Sequence, residues 1–148
     1  MSDQSHKHIH FTGVGGVGMA GLAHICADLG CSVSGSDVAD SAMLASLRRR
    51  GLDVLVGHDN KLAGQAELLV YSSAVPEDDP ERQEAAKRGI ASMRRGEFLG
   101  ELARAFPRTV AVAGSHGKTS VTAMLAHICR QAGMAPGYLV GGLVHGWE

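Results

Sequence analysis

Short apolar segments alternate with amphipathic ones over residues 8–105. The apolar segments have the length of strands, and several are apolar at almost every position, as in parallel strands covered on both faces. The predicted strands are 8–12, 32–36, 53–56, 68–71 and 90–93. Between them apolar residues recur three or four positions apart, which predicts helices at 17–29, 41–50, 80–88 and 97–105. This alternation predicts an α/β fold with a doubly wound parallel sheet.

The pattern changes at Pro107. Beyond it, residues 109–113 (TVAVA) predict a strand, residues 118–131 a helix, and residues 138–140 a further candidate strand. A unit of this size cannot bury a core of its own. We therefore predict two domains, 1–106 and 107–148, of which the second is the start of a domain whose remainder is absent.

A glycine-rich loop at residues 13–18 lies between the first strand and the first helix. Its GxGxxG spacing lets Gly13 make a tight turn, Gly15 approach a pyrophosphate and Gly18 pack against the strand. The pyrophosphate would lie on the N–H groups at the N-terminus of the helix. Asp37, at the end of the second strand, could accept a ribose hydroxyl. Since NAD, FAD and UDP all carry these groups, the loop by itself leaves the ligand open.

A second glycine-rich loop joins the strand and helix that follow Pro107. Its GxxGKT sequence has the parts of a P-loop: backbone N–H groups to cradle phosphates, Lys118 to reach the β and γ oxygens, and the Thr119 hydroxyl to ligate Mg²⁺. His116 could contact a phosphate or a reacting carboxylate, or simply fill the loop. The alternative is an ordinary helix start capped by Ser115. The predicted ATP-binding residues are Gly114, Ser115, His116, Gly117, Lys118, Thr119 and Ser120, with Lys118 and Thr119 also catalytic.

Composition narrows the range of partners. With 14 basic and 15 acidic residues among 148, the chain has no basic field, so nucleic acid is not an expected partner. No apolar run reaches the roughly 18 residues that a membrane span needs. The three cysteines have no metal-type spacing, which is typical of reduced thiols in the cytoplasm. The alternating histidines His6, His8 and His10 are interpreted as surface residues.

Six segments of the chain, in order, resemble the Mur ligase family. They are IHFTGVGGVGMAGLA (9–23), VSGSD (33–37), YSSAVPEDDPE (71–81), RRGEFLGEL (94–102), AGSHGKTSVTAM (113–124) and GGLV (141–144). Within the family, the GGxGM start, the SSA segment and a histidine in the P-loop resemble the member that adds alanine. The resemblance implies a Rossmann-like domain that binds a UDP-sugar, followed by the start of an ATPase domain, at roughly the first third of a three-domain enzyme.

The resemblance also implies an activity and a set of ligands. ATP, with Mg²⁺ as cofactor, would drive the joining of L-alanine to UDP-N-acetylmuramate through an acyl phosphate. His58, in the loop after the third strand, is a further candidate for contacting the UDP phosphates. The residues expected at the UDP-sugar are Gly13, Val14, Gly15, Gly16, Val17, Gly18, Met19, Asp37, His58, Ser72, Ser73 and Ala74. We expect this chain not to ligate anything alone.

Three alternatives stay open from the residues alone. An NAD-dependent oxidoreductase would explain the first loop and Asp37 but would leave the second loop without a purpose. A non-catalytic nucleotide-binding module would need a stable second unit. A generic P-loop ATPase would not explain the residues before Pro107. An exposed sheet edge in the second unit could also pair two copies, so a homodimer is a further expectation.

Overall fold

The computed structural model describes residues 7–142, which fall into two compact units divided between Phe106 and Pro107. His6 and the end of the 141–144 segment lie outside the described residues. The elements of the first unit are β1 (His8–Thr12), α1 (Val17–Asp28), β2 (Ser32–Asp37), α2 (Ala42–Arg49), β3 (Asp53–Val56), α3 (Asn60–Ala63), β4 (Leu68–Tyr71), α4 (Pro80–Arg88), β5 (Ala91–Arg94) and α5 (Arg95–Arg104). The second unit contains α6 (Lys118–Gln131).

The first unit is built on a five-stranded sheet in the order β3-β2-β1-β4-β5, and all of its strand pairs are parallel. The predicted α/β fold with a parallel sheet is therefore confirmed. β1 is the central strand, and its next neighbour in the chain, β2, lies on the opposite side from β4. The chain direction across the sheet reverses at β1, and ligands of such folds bind beyond the carboxyl ends of the strands at this point.

The core lies against the central strand. Phe11 of β1 is fully buried, and its ring meets that of Phe98 of α5 edge-to-face at a centroid distance of 5.8 Å. Gly35 of β2 pairs with Phe11, and a Cβ at this glycine would lie 2.8 Å from the Phe11 carbonyl oxygen. Glycine is therefore required where β2 approaches β1. Fully buried residues of the helices complete this core, among them Leu22, Ala23, Leu44 and Leu47.

Local sequence explains where α4 begins and ends. The Asp79 carboxylate accepts hydrogen bonds from the backbone N–H groups of Glu81 and Arg82, and Pro80 occupies the first turn. Gly89 follows the helix with a φ of 70°, the left-handed conformation that glycine adopts without strain. The helix predicted at 80–88 is found with these bounds.

Some predicted elements differ from those observed. α3 is a single turn, capped by Asp59, and is too short to produce a periodic pattern. β5 lies one residue later than predicted, and α5 begins directly after it, where the Glu97 carboxylate accepts the N–H of Arg94.

The strands predicted after Pro107 are wrong. Residues 109–113 and 138–140 are not in strands, and Val110 is 77% exposed. A strand exists only through hydrogen bonds to a neighbouring strand. The described part of the second unit contains no partner strand for either segment, so apolar composition alone does not produce one.

Candidate functional site

The glycine loop lies at the carboxyl end of β1, held against β2. The N–H groups of Gly13 and Val14 both donate to the Ser36 carbonyl oxygen, at 2.8 and 2.9 Å. Gly13 has a φ of 79°, and a Cβ there would lie 3.1 Å from the Ser72 Cβ. The loop is therefore closely packed between β2 and the segment that follows β4.

Asp37 binds the glycine loop itself. Its Oδ2 accepts the N–H of Gly15 at 2.8 Å, and its Oδ1 accepts the N–H of Ala39 at 3.2 Å. A Cβ at Gly15 would lie 2.8 Å from that Oδ2. The carboxylate expected to accept a ribose hydroxyl thus also fixes the loop, a role that depends on β1 and β2 being neighbours.

The N-terminus of α1 has no capping side chain and is suited to binding an anion. Gly16 precedes the helix without any side-chain hydrogen bond to its first turn, and that turn contains no acidic residue. The guanidinium of Arg95, which begins α5, lies beside Gly18, and its Nη1 would be 3.0 Å from a Cβ there. Free helix N–H groups and an adjacent cation form a suitable environment for phosphate. Arg95 was missed from the sequence, although its position directly after β5 puts it at the same edge of the sheet.

A cleft of about 550 Å³ opens beside the loop at this edge. Predicted UDP-sugar residues on its walls are Gly13, Gly16, Asp37, His58, Ser72 and Ala74. By contrast, Val14 and Met19 are buried as whole residues, and neither lines the cleft. Ser73 is exposed next to the cleft residues Ser72 and Ala74. The structure thus brings together four predicted segments that are distant in sequence: the glycine loop, the end of β2, the His58 loop and the Ser72–Ser73–Ala74 turn.

His58 lies at the cleft with an acidic partner behind it. Its Nδ1 is 3.4 Å from the Oδ2 of Asp79, whose side chain is only 5% exposed, whereas that of His58 is 36% exposed. The nearby carboxylate orients the ring at the edge of the cleft. His58 is therefore placed where a ligand in the cleft could reach its imidazole.

Glu81 is a second residue that sequence reasoning missed. Its side chain is fully buried, yet its carboxylate accepts hydrogen bonds from the hydroxyls of Thr12 and Ser36 at 2.7 and 2.6 Å. His10 Nε2 lies 3.1 Å from the same oxygen, and the N–H of Asp59 donates to the other oxygen at 2.7 Å. Burial alone would raise the pKa of Glu81, but the hydrogen bonds from His10, Ser36 and Asp59 and the nearby His10 charge lower it to about 2. Glu81 is therefore an ionised carboxylate inside the protein.

The interpretation of His10 as a surface residue is wrong. It is fully buried on β1 between Ser34 Oγ, 2.8 Å from its Nδ1, and Glu81. The other nearby histidine, His8, is half-buried and lies 2.7 Å from the same Ser34 Oγ through its Nε2. A central strand is covered on both faces, so its polar side chains are enclosed too and need partners.

The P-loop of the second unit precedes α6. Gly117 caps the helix in the left-handed conformation, with a φ of 76°, and no side-chain cap hydrogen bond is made there. The alternative in which Ser115 caps the helix is therefore not observed. Lys118 Nζ folds back onto the loop and donates to the carbonyl oxygens of Gly114 and Ser115 at 2.5 and 3.2 Å. All residues of the loop are exposed, so the helix N-terminus and the lysine are accessible to a phosphate.

Within the described part of the chain, no helix combines the length and apolar character needed to cross a membrane.

Comparison with known proteins gives a consistent set of relatives. The description "Mur ligase family, catalytic domain" matches residues 8–107. The chain is 45% identical over 136 residues to UDP-N-acetylmuramate–L-alanine ligase of Clostridium beijerinckii, and 44% identical over 136 residues to that of Aquifex aeolicus. Each match covers 92% of this chain and 30% of the relative, so the chain spans about a third or less of the length of these relatives.

Comparison with solved structures gives relatives of the same kind. The crystal structure of UDP-N-acetylmuramate–alanine ligase from Thermotoga maritima matches with a TM-score of 0.88 at 31% identity, over 94% of this chain and 33% of that one. A UDP-N-acetylmuramate:L-alanyl-γ-D-glutamyl-meso-diaminopimelate ligase from Neisseria meningitides matches with a TM-score of 0.85 at 32% identity, over 96% of this chain and 45% of that one. The parallel sheet, the glycine loop at its switch point and these matches together show that the chain belongs to the Mur ligase family.

Proposed function

We propose that this chain is the N-terminal part of an ATP-dependent ligase that joins L-alanine to UDP-N-acetylmuramate in peptidoglycan synthesis, and that its first unit binds the UDP-sugar. The observation that carries the proposal is the open N-terminus of α1 beside a cleft lined by Asp37, His58 and Ser72. The identity to alanine-adding ligases supports the choice of sugar and amino acid.

In the proposed binding mode, the diphosphate and the uridine of the ligand lie against different parts of the cleft. The diphosphate lies on the N–H groups of residues 16–18, where the helix dipole and the adjacent Arg95 favour negative charge. The imidazole of His58, oriented by Asp79, lies at the cleft as a further group that the diphosphate could contact. The uridine lies towards Asp37 and the Ser72–Ser73–Ala74 turn, which offer hydrogen-bonding groups for a ribose and a base.

The P-loop of the second unit is proposed to bind ATP. The accessible helix N-terminus after Gly117 and the exposed Lys118 fit a triphosphate. Lys118 would leave the loop carbonyls and stabilise charge on the transferred phosphoryl group, and Thr119 would ligate Mg²⁺. ATP supplies the phosphoryl group that activates the lactyl carboxylate as an acyl phosphate. The amine of L-alanine then attacks the carbonyl carbon of the acyl phosphate, and inorganic phosphate leaves as the amide bond forms.

The test is a calorimetric titration of the chain with UDP-N-acetylmuramate, NADH and Mg-ATP in parallel. Saturable binding of the UDP-sugar with no heat from NADH is the expected result. Binding of NADH without the UDP-sugar would favour the oxidoreductase alternative. Absence of UDP-sugar binding would contradict the assignment of the cleft.

Pairing of two copies and a cytoplasmic location remain predictions. Sedimentation of the chain would show whether two copies pair.

A further inference from the structure

One buried carboxylate connects four parts of the first unit that are far apart in sequence. Glu81 on α4 accepts the hydroxyl of Thr12 from the end of β1 and that of Ser36 from β2. It also accepts the N–H of Asp59 from the loop before α3, and His10 lies against it from the middle of β1. A buried charge bonded in this way holds its donors at defined positions, since any displacement would leave the charge unpaired.

Two of these donors belong to residues whose backbone holds the walls of the cleft. The carbonyl oxygen of Ser36 accepts the N–H groups of Gly13 and Val14, at 2.8 and 2.9 Å, and so anchors the glycine loop. The carbonyl oxygen of Thr12 accepts the N–H of Ser72 at 3.1 Å and so anchors the turn after β4.

The loop that contains His58 forms the third wall of the cleft, and it is bonded directly to Glu81. The N–H of Asp59 donates to Glu81 Oε1 at 2.7 Å, which fixes the residue next to His58. On the other side of His58, the Asp79 carboxylate faces its ring and also caps the helix that carries Glu81. The glycine loop, the Ser72 turn and the His58 loop are thus all held in place by hydrogen bonds that lead to the Glu81 side chain.

We propose that Glu81 is a positioning residue for nucleoside diphosphate binding, one that sets the relative placement of the glycine loop, the His58 loop and the Ser72 turn without touching the ligand. This inference rests on the proposed function of the cleft. It gives a reason for an ionised carboxylate at a place where an apolar residue would pack at less cost in desolvation.

The experiment compares Glu81→Gln with Ser34→Ala in the full chain, using UDP as the probe. The glutamine keeps the size of the side chain but replaces one acceptor oxygen with a donor, so either the hydroxyl pair or the Asp59 N–H loses its partner. Ser34 is a matched control because it is buried on β2 and bonds His10 and His8, yet removing its hydroxyl leaves the Thr12, Ser36 and Asp59 donors to Glu81 in place. Both changes should lower stability.

Calorimetry below the melting temperature of both variants then separates the two roles. We expect Glu81→Gln to weaken UDP binding at least tenfold and Ser34→Ala to change it by less than twofold. Equal affinity of both variants and the unchanged chain would overturn the positioning role while leaving the proposed function intact. No UDP binding by the unchanged chain would overturn both.

A second measurement covers the case in which Glu81→Gln does not fold. Ser36→Ala removes a single hydroxyl donor from Glu81 and creates little empty volume. Amide hydrogen exchange without ligand should then become faster at Gly13 and Val14, which bond the Ser36 carbonyl, than in Ser34→Ala. Unchanged exchange at these two amides would contradict the proposal.

Discussion

Neutralising Glu81 should change how the stability of the first unit depends on pH. In the folded protein, burial opposes the charge, but the hydrogen bonds from His10, Ser36 and Asp59 and the nearby His10 charge lower the pKa of Glu81 from 4.5 to about 2. The folded pKa is thus below the unfolded one, so the ionised carboxylate stabilises the fold above about pH 4.5. That contribution is lost as pH falls towards 2.

The size of the effect follows from the two pKa values. A tenfold difference in proton affinity corresponds to about 1.4 kcal/mol, so the change from 4.5 to about 2 is equivalent to about 3 kcal/mol at neutral pH. About 2 kcal/mol of this is lost between pH 7 and pH 3. For a domain with a total stability of roughly 5–15 kcal/mol, such a loss is readily measured.

The assay is urea unfolding followed by far-ultraviolet circular dichroism at a series of pH values from 7 to 3. The free-energy difference between the unchanged chain and Glu81→Gln should shrink by about 2 kcal/mol over this range, because all other acids are common to both. Glu101→Gln is the control, since Glu101 lies in a solvent-exposed pair with Arg104 that contributes little. A difference for Glu81→Gln that stays constant with pH would refute the reasoning.

Three further predictions concern the two loops and the core. Gly15→Ala would press a Cβ to 2.8 Å from Asp37 Oδ2 and should weaken UDP binding at least tenfold by calorimetry. Gly100→Ala is the control, because a Cβ at this α5 residue would have no atom within 4 Å, and it should have little effect. Equal losses of affinity in the two variants would contradict the packing argument. Lys118→Ala should abolish detectable Mg-ATP binding without changing UDP affinity, and retained ATP binding would remove the lysine from the site. Burial raises the pKa of the Cys26 thiol to about 12, so iodoacetamide at pH 8 should label it only after unfolding, as mass spectrometry would show.

The sequence alone determined the features that depend on neighbouring residues. Apolar periodicity located β1 to β4 and the longer helices, because burial of one face repeats at the period of the element. The two glycine loops and the cap of α4 were also predictable, since tight turns and helix starts require particular residue types within a few positions. The same local segments carried the resemblance to the family.

Only the tertiary structure decided which distant side chains meet. The strand order β3-β2-β1-β4-β5 encloses His10 and brings Ser36, Asp59 and Glu81 to one point, and no spacing within a single segment indicates this. The pairing of β1 with β2 also brings the Asp37 carboxylate to the glycine loop, where it accepts the N–H of Gly15. Conversely, residues 109–113 have the composition of a strand but lack a partner strand within the described residues of their unit. Hydrogen bonds across a sheet and around a buried charge are made between remote residues, so the fold must form before their partners are defined.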